Sequence, residues 1–139
     1  MAITVTACAM EVQGSRMRRS PIKASKKTRT RRNMVKVLDA DARAQVFERD
    51  GYRCVRCNSQ KGIQWCHIFT RRNLSTRWER ENALTLCAGC HLWWHEHLAI
   101  SVPWFIKNWP QRYEAMLAKF NDRSKIRVSE LYAELQGGE

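Results

Sequence analysis

Apolar and polar positions along this chain follow a helical period in several places and a strand-like alternation in one. Residues 39–51 (DADARAQVFERDG) put Ala42, Val46 and Phe47 together behind a capping Asp39 or Asp41, with Gly51 as a stop. They predict a short amphipathic helix. After a turn-like NSQKG, the run IQWCHIF alternates and uses β-favouring residues, which predicts a strand ending near His67. Residues 70–81 read as a basic, polar loop, and the apolar 83–86 suit a second strand antiparallel to the first. A helix is expected from Cys90 to about Leu98. Ser101 with Pro103 then reads as a new helix start, and Trp109-Pro110 as its end and the start of another. That helix carries Tyr113, Met116, Leu117 and Phe120 on one face, and 128–135 forms a last short one with Leu131, Tyr132 and Leu135. Upstream, residues 15–36 show no apolar period and read as an unfolded arm. No internal repeat is visible.

The 139 residues suffice for one small domain with tails, and a domain of this size gains from a structural metal. The expected division is a disordered basic arm (1–36), a core (37–100) and C-terminal helices packing on it (101–139). The net charge of +12 is unevenly spread. Residues 16–36 hold ten Lys/Arg and no acid, against fifteen basic and twelve acidic residues in 37–139. Such a block of like charge has a polyanion as its natural partner. Residues 1–10 are mildly apolar but lack a basic lead, so they make a poor export signal. No stretch approaches the roughly 18 apolar residues of a membrane span. A cytoplasmic location with reduced thiols is therefore expected, and there paired Cys-x-x-Cys turns point to metal.

Two such turns, Cys54/Cys57 and Cys87/Cys90, supply the four soft ligands of a closed zinc site. The segment between them carries the first strand and the basic loop, so a zinc ion would fasten a hairpin to the helix that follows. Around that hairpin lie the groups needed to hydrolyse a phosphodiester. His67, at a strand end, can take a proton from water. Asn82 is placed to bridge the ends of the loop and orient that base. His91 and His95, four residues apart on the expected helix, share a face and can bind one ion together. His97 falls on another side.

The order His67, Asn82, His91, with a Cys-x-x-Cys before and a Cys-x-x-Cys-His after, resembles the HNH endonucleases of the ββα-metal fold. The gaps of fifteen and nine residues and the further His95 are similar to the nuclease domain of DNase colicins. The loop from Thr70-Arg71-Arg72 to Arg77-Trp78 looks like that of small phage HNH proteins of the NinG type. The motif resemblance spans about residues 47–97. It implies an α+β protein with a zinc-clipped ββα-metal core, His67 as general base and Asn82 holding its loop. It also implies a divalent ion on His91 and His95, and DNA cut to 5′-phosphate and 3′-hydroxyl ends. That family usually has Asp or His just before the base; here stands Cys66. Either Cys66 binds the ion, which suits zinc or nickel better than magnesium, or it stays unliganded, so magnesium, manganese, nickel and zinc all stay open.

Arg71, Arg72 and Arg77 are expected to grip flanking phosphates. Trp65, Trp94, Trp104 and Trp109 read as core, whereas Trp78 is the tryptophan to test for base stacking. No element reads a base sequence in a groove, so recognition of backbone or shape is expected, with no small-molecule substrate and no membrane. The competing expectation is a non-catalytic, zinc-dependent nucleic-acid-binding module.

Overall fold

The computed structural model describes residues 26–122 and 124–137. What was expected of the lead-in 1–10 and of the first part of the arm lies outside the described residues. A long helix α1 (Lys26–Arg49) comes first, followed by strand β1 (Ile63–His67), a one-turn helix α2 (Leu74–Arg77) and a 3₁₀ turn (Arg80–Asn82). Strand β2 (Ala83–Cys87) and helix α3 (Ala88–Glu96) follow, and α4 (Leu98–Asn108), α5 (Pro110–Asn121) and α6 (Val128–Gly137) complete the chain. It is an α+β arrangement, helix-rich around a two-stranded sheet. No described helix is long and apolar enough to cross a membrane.

The strands pair antiparallel, with Ile63 opposite Cys87, Trp65 opposite Thr85 and His67 opposite Ala83. Ala83 to Leu86 are all buried, so β2 is covered on both faces. On one side lies α1, whose stripe Leu38, Ala42 and Val46 recurs every four residues. Asp50, just past α1, accepts the Thr85 N–H at 2.8 Å, tying helix to strand. Elsewhere Leu84 and Leu86 join Cys66, Trp94 and Phe105 in one apolar cluster, with Trp94 and Phe105 edge-to-face at 6.2 Å between centroids.

Three local expectations are corrected. The basic stretch 26–36 is helical rather than unfolded: α1 extends about three turns N-terminal to Asp39, and its early part packs against α6. Asp39 and Asp41 consequently lie inside α1 and cap nothing. Asp39 reaches across to the loop, and Asp41 accepts from Gln45 at 2.7 Å. Ser101 does not begin a helix either. The helix starts at Leu98 with Pro103 inside it, and the buried Ser101 hydroxyl donates to the Trp94 carbonyl at 2.9 Å, satisfying a group near the end of α3. The divisions expected after residues 36 and 100 both fall within helices. By contrast Gly51 does close α1, at φ +64°, and Pro110 opens α5 at its first position.

Candidate functional site

Four sulfurs converge where the β2–α3 junction meets the loop after α1. Cys54 and Cys57 sit in a turn closed by the Asn58 N–H on the Cys54 carbonyl (2.8 Å) and the Cys54 N–H on the Ser59 carbonyl (2.8 Å). Asn58 takes the left-handed conformation this turn needs. The Val55 N–H donates to the Thr85 carbonyl at 2.9 Å, which anchors the turn to β2. Cys87 ends β2, and Cys90 stands in the first turn of α3. All four Sγ atoms lie within 4.8 Å of one another, close enough to hold a metal ion such as zinc. The Cys57–Cys87 Sγ separation of 3.6 Å is near the ~3.8 Å edge of a tetrahedron with zinc–sulfur bonds of about 2.3 Å.

The surroundings act unequally on these sulfurs, lowering Cys54 and raising Cys57 and Cys90. Burial alone would raise Cys54, but backbone hydrogen bonds from Cys87, Cys57 and Arg56 outweigh it and bring the thiol down to about 7. For Cys90, burial pushes the thiol up to about 12, against the pull of the Arg56 guanidinium and with help from the neighbouring sulfurs. Arg56 itself lies over the Trp93 ring at 3.9 Å, with Nη1 3.5 Å from the Cys90 Sγ.

A second cluster lies on the next part of α3. Cys66 of β1 and His91 and His95 of α3 bring their ligand atoms within 4.8 Å of one another. The Nε2 atoms of the two histidines are 3.0 Å apart. His91 Nδ1 lies 2.6 Å from Gln64 Oε1, an atom that only accepts, so Nδ1 carries the proton and Nε2 offers its lone pair to the cluster. Burial, then the charge of His95, holds the His91 imidazole below its ordinary value, which favours that neutral form. Cys66 is fully buried, and burial pushes its thiol up to about 12.

His67, at the end of β1, packs against the Trp65 ring with centroids 4.1 Å apart. Its Nε2 is 3.2 Å from the Arg77 carbonyl. A carbonyl only accepts, so Nε2–H donates and Nδ1 keeps a free lone pair. Burial is the main reason the imidazole is pulled down to about 4; the Arg77 carbonyl and Asp39 oppose it, while the Arg71 and Arg77 charges add to it. His67 is thus neutral near pH 7.

Asn82 is fully buried and joins both sides of the loop. Its Oδ1 accepts from the Phe69 N–H (2.8 Å), while Nδ2 donates to the carbonyls of Thr76 (2.9 Å) and Phe69 (3.1 Å). Two arginines brace the adjoining turn. Arg49 donates to the carbonyls of Arg80 (2.6 Å) and Ala83 (2.8 Å), and Arg112 to those of Glu81 (2.9 Å) and Ala83 (3.1 Å).

The three loop arginines are placed differently. Arg71 is exposed on a cleft of about 520 Å³ that it shares with His67, Thr70, His91, His95 and Leu98, and it has no carboxylate partner among the described residues. Arg72 is exposed and does not line that cleft. Arg77 is engaged in a two-point ion pair with Asp39, which also takes the Trp78 indole N–H at 2.8 Å. Trp78 is therefore pinned through its ring nitrogen. A larger groove of about 660 Å³ between α1 and α6, floored by Met34, Ile126 and Val128, holds none of these convergent groups.

Gln64 carries no motif that marks it in the sequence, although strand alternation from Cys66 places it on the same face. For Asp39, no local signal marks its pairing with a residue thirty-eight positions away. No family model, no curated protein and no solved structure matches this chain.

Proposed function

We propose that this protein is a metal-dependent endonuclease of the HNH, ββα-metal kind that hydrolyses phosphodiester bonds in DNA. The observation that carries the reading is a single cleft lined by the free-lone-pair imidazole of His67 and by the paired histidines His91 and His95. On this reading the four-cysteine cluster holds a structural zinc ion, which fastens the β1–β2 hairpin to α3.

In the reaction, His67 Nδ1 accepts the proton of a water that attacks phosphorus, while Nε2–H stays on the Arg77 carbonyl. That hydrogen bond fixes the ring plane and strengthens as the imidazolium forms. Asn82 keeps the loop ends together, so the carbonyl and the base hold their relation. Arg71 draws the phosphate into the cleft and neutralises its charge. A divalent ion on His91 and His95 would supply charge stabilisation for the phosphate and the departing oxygen. The basic first part of α1 adds sequence-independent affinity for the DNA backbone.

Supercoiled plasmid incubated with zinc, nickel, manganese or magnesium tests the reading, with native and His67→Ala protein compared. Nicking by the native protein, and binding without nicking by the variant, is the expected result. Equal nicking by both removes His67 from the mechanism. Binding with no nicking by either, under any of the metals, leaves the non-catalytic zinc module.

A further inference from the structure

We infer that Cys66 completes a three-ligand metal site with His91 and His95, and that its thiolate makes this site take zinc-class ions in preference to magnesium. The inference deepens the nuclease reading by naming the ion, and rests on that reading only for what the ion does.

The geometry argues it in three steps. Cys66 is fully buried on β1, yet its sulfur lies within 4.8 Å of the ligand nitrogens of both histidines, which stand on a different element. Sequence spacing alone pairs the histidines; the hairpin packing on α3 is what adds the sulfur. Next, Gln64 fixes His91 so that its Nε2 lone pair faces His95 Nε2 at 3.0 Å. Without an ion the His95 Nε2–H donates to that lone pair; with its proton on Nδ1 instead, His95 turns a second lone pair toward a cation shared with His91. Last, the cluster holds one cysteine and two histidines and no carboxylate among the described residues. Magnesium binds oxygen in near-ideal octahedra and gives up its water reluctantly, so a sulfur and two imidazoles offer it little. The same set is well matched to zinc, cobalt, nickel or cadmium.

Three protein ligands leave one corner of a tetrahedron open, and the histidines line the cleft shared with His67 and Arg71. The open corner is where a phosphate oxygen would bind, as in zinc sites that act on substrates rather than only hold structure. On binding, the Cys66 thiol gives its proton to solvent and its sulfur bonds the ion. Gln64 holds the ring of one ligand, so Gln64→Ala lowers zinc affinity here by about 10- to 100-fold.

The protein loaded with two equivalents of cadmium-113 gives a direct test by NMR, with no measurement of cutting. Two resonances are expected from the wild type: one in the range of four-sulfur sites, the other at the intermediate shift of one sulfur with nitrogens. In Cys66→Ser the second resonance moves into the nitrogen–oxygen range or disappears, while the four-sulfur resonance stays and reports an intact fold. Zinc competition at this site weakens by at least about tenfold in the variant. An excess of magnesium leaves both wild-type resonances in place. A wild-type second resonance already in the nitrogen–oxygen range overturns the inference, without reliance on any variant. So does the absence of a second resonance, its persistence unchanged in Cys66→Ser, or its displacement by magnesium. The nuclease reading stands or falls separately, on the plasmid experiment with His67→Ala.

Discussion

Asp39 and Arg77, thirty-eight residues apart, meet in a two-point ion pair, with Nε to Oδ1 at 2.9 Å and Nη2 to Oδ2 at 2.7 Å. The carbonyl of the same Arg77 receives the Nε2–H of His67. The long helix α1 therefore grips, through one side chain, the residue that orients the proposed base. Burial alone would raise the Asp39 carboxyl, but hydrogen bonds from Arg77 and Trp78 and the Arg77 charge outweigh it and hold it below the usual carboxylate range. The folded value is thus below the unfolded one, and as pH falls the unfolded chain takes up the proton first. The stabilisation is complete above the unfolded value and is lost as pH drops through the folded one. Melting curves should show the wild type above Asp39→Asn at about pH 7, the gap closing as the pH is taken below the usual carboxylate range. A gap that persists unchanged in acid would mean that the carboxylate charge contributes nothing.

Removing the loop clamp should cost more than one ordinary surface contact. In Asn82→Ala the half-buried Phe69 N–H loses its acceptor, and the Phe69 and Thr76 carbonyls each lose a donor, the latter inside the fold. An unsatisfied buried group costs about 1–3 kcal/mol, so urea unfolding should show a loss of at least that order. Hydrogen exchange at Phe69 should accelerate beyond what global destabilisation explains. Unaltered exchange there would show that the loop ends are held by other contacts.

The loop arginines should separate by experiment into two kinds. Arg71→Ala removes an exposed cation at the cleft and should lower the salt dependence of DNA binding by about one unit of slope, leaving the melting temperature unchanged. Arg77→Ala breaks the Asp39 pair and should lower the melting temperature with little change in that slope. Salt titrations and melts on both variants check the assignment, and the reverse pattern would contradict it.

Metal removal should undo the core rather than only silence it. Cys54 and Cys90 are buried within the same apolar cluster as Leu84, Leu86 and Trp94. Binding free energies of structural zinc, of the order of 10–16 kcal/mol in small zinc domains, rival the about 5–15 kcal/mol total stability of a domain. A strong chelator, or Cys87→Ser, should therefore abolish the cooperative thermal transition seen by circular dichroism, and zinc should restore it only to the chelated wild type. A sharp transition retained at the same temperature after chelation would show that the four sulfurs need no ion.

What could be read from the sequence follows from how local each signal is. Cys54, Cys57, Cys87 and Cys90 were legible because a turn fixes each pair, and His91 and His95 because one helical repeat fixes their spacing. The two strands, Gly51 and Pro110 were legible for the same reason. Cys66 was an open question because its partners stand on α3, and only the packing of hairpin on helix brings the sulfur to them. The ion pair of Arg77 was hidden, since a basic loop looks the same whether its cations face solvent or an aspartate on a distant helix. The extent of α1 was underestimated because a run rich in lysine and arginine carries no apolar rhythm, and α6 is what it packs against.

One short stretch, residues 87–95, carries two thiols of one cluster, at the end of β2 and in the first turn of α3, and both imidazoles of the other on the following turns. Each residue of an α-helix advances the direction of its side chain by about 100°, so a single insertion between Cys90 and His91 would turn the imidazoles away while the sulfurs stayed put. The chain can thus lengthen between Ser59 and Ile63, where no such phase is kept. Between Cys87 and His95 it cannot change length at all, and related chains that differ in size should carry their extra residues elsewhere.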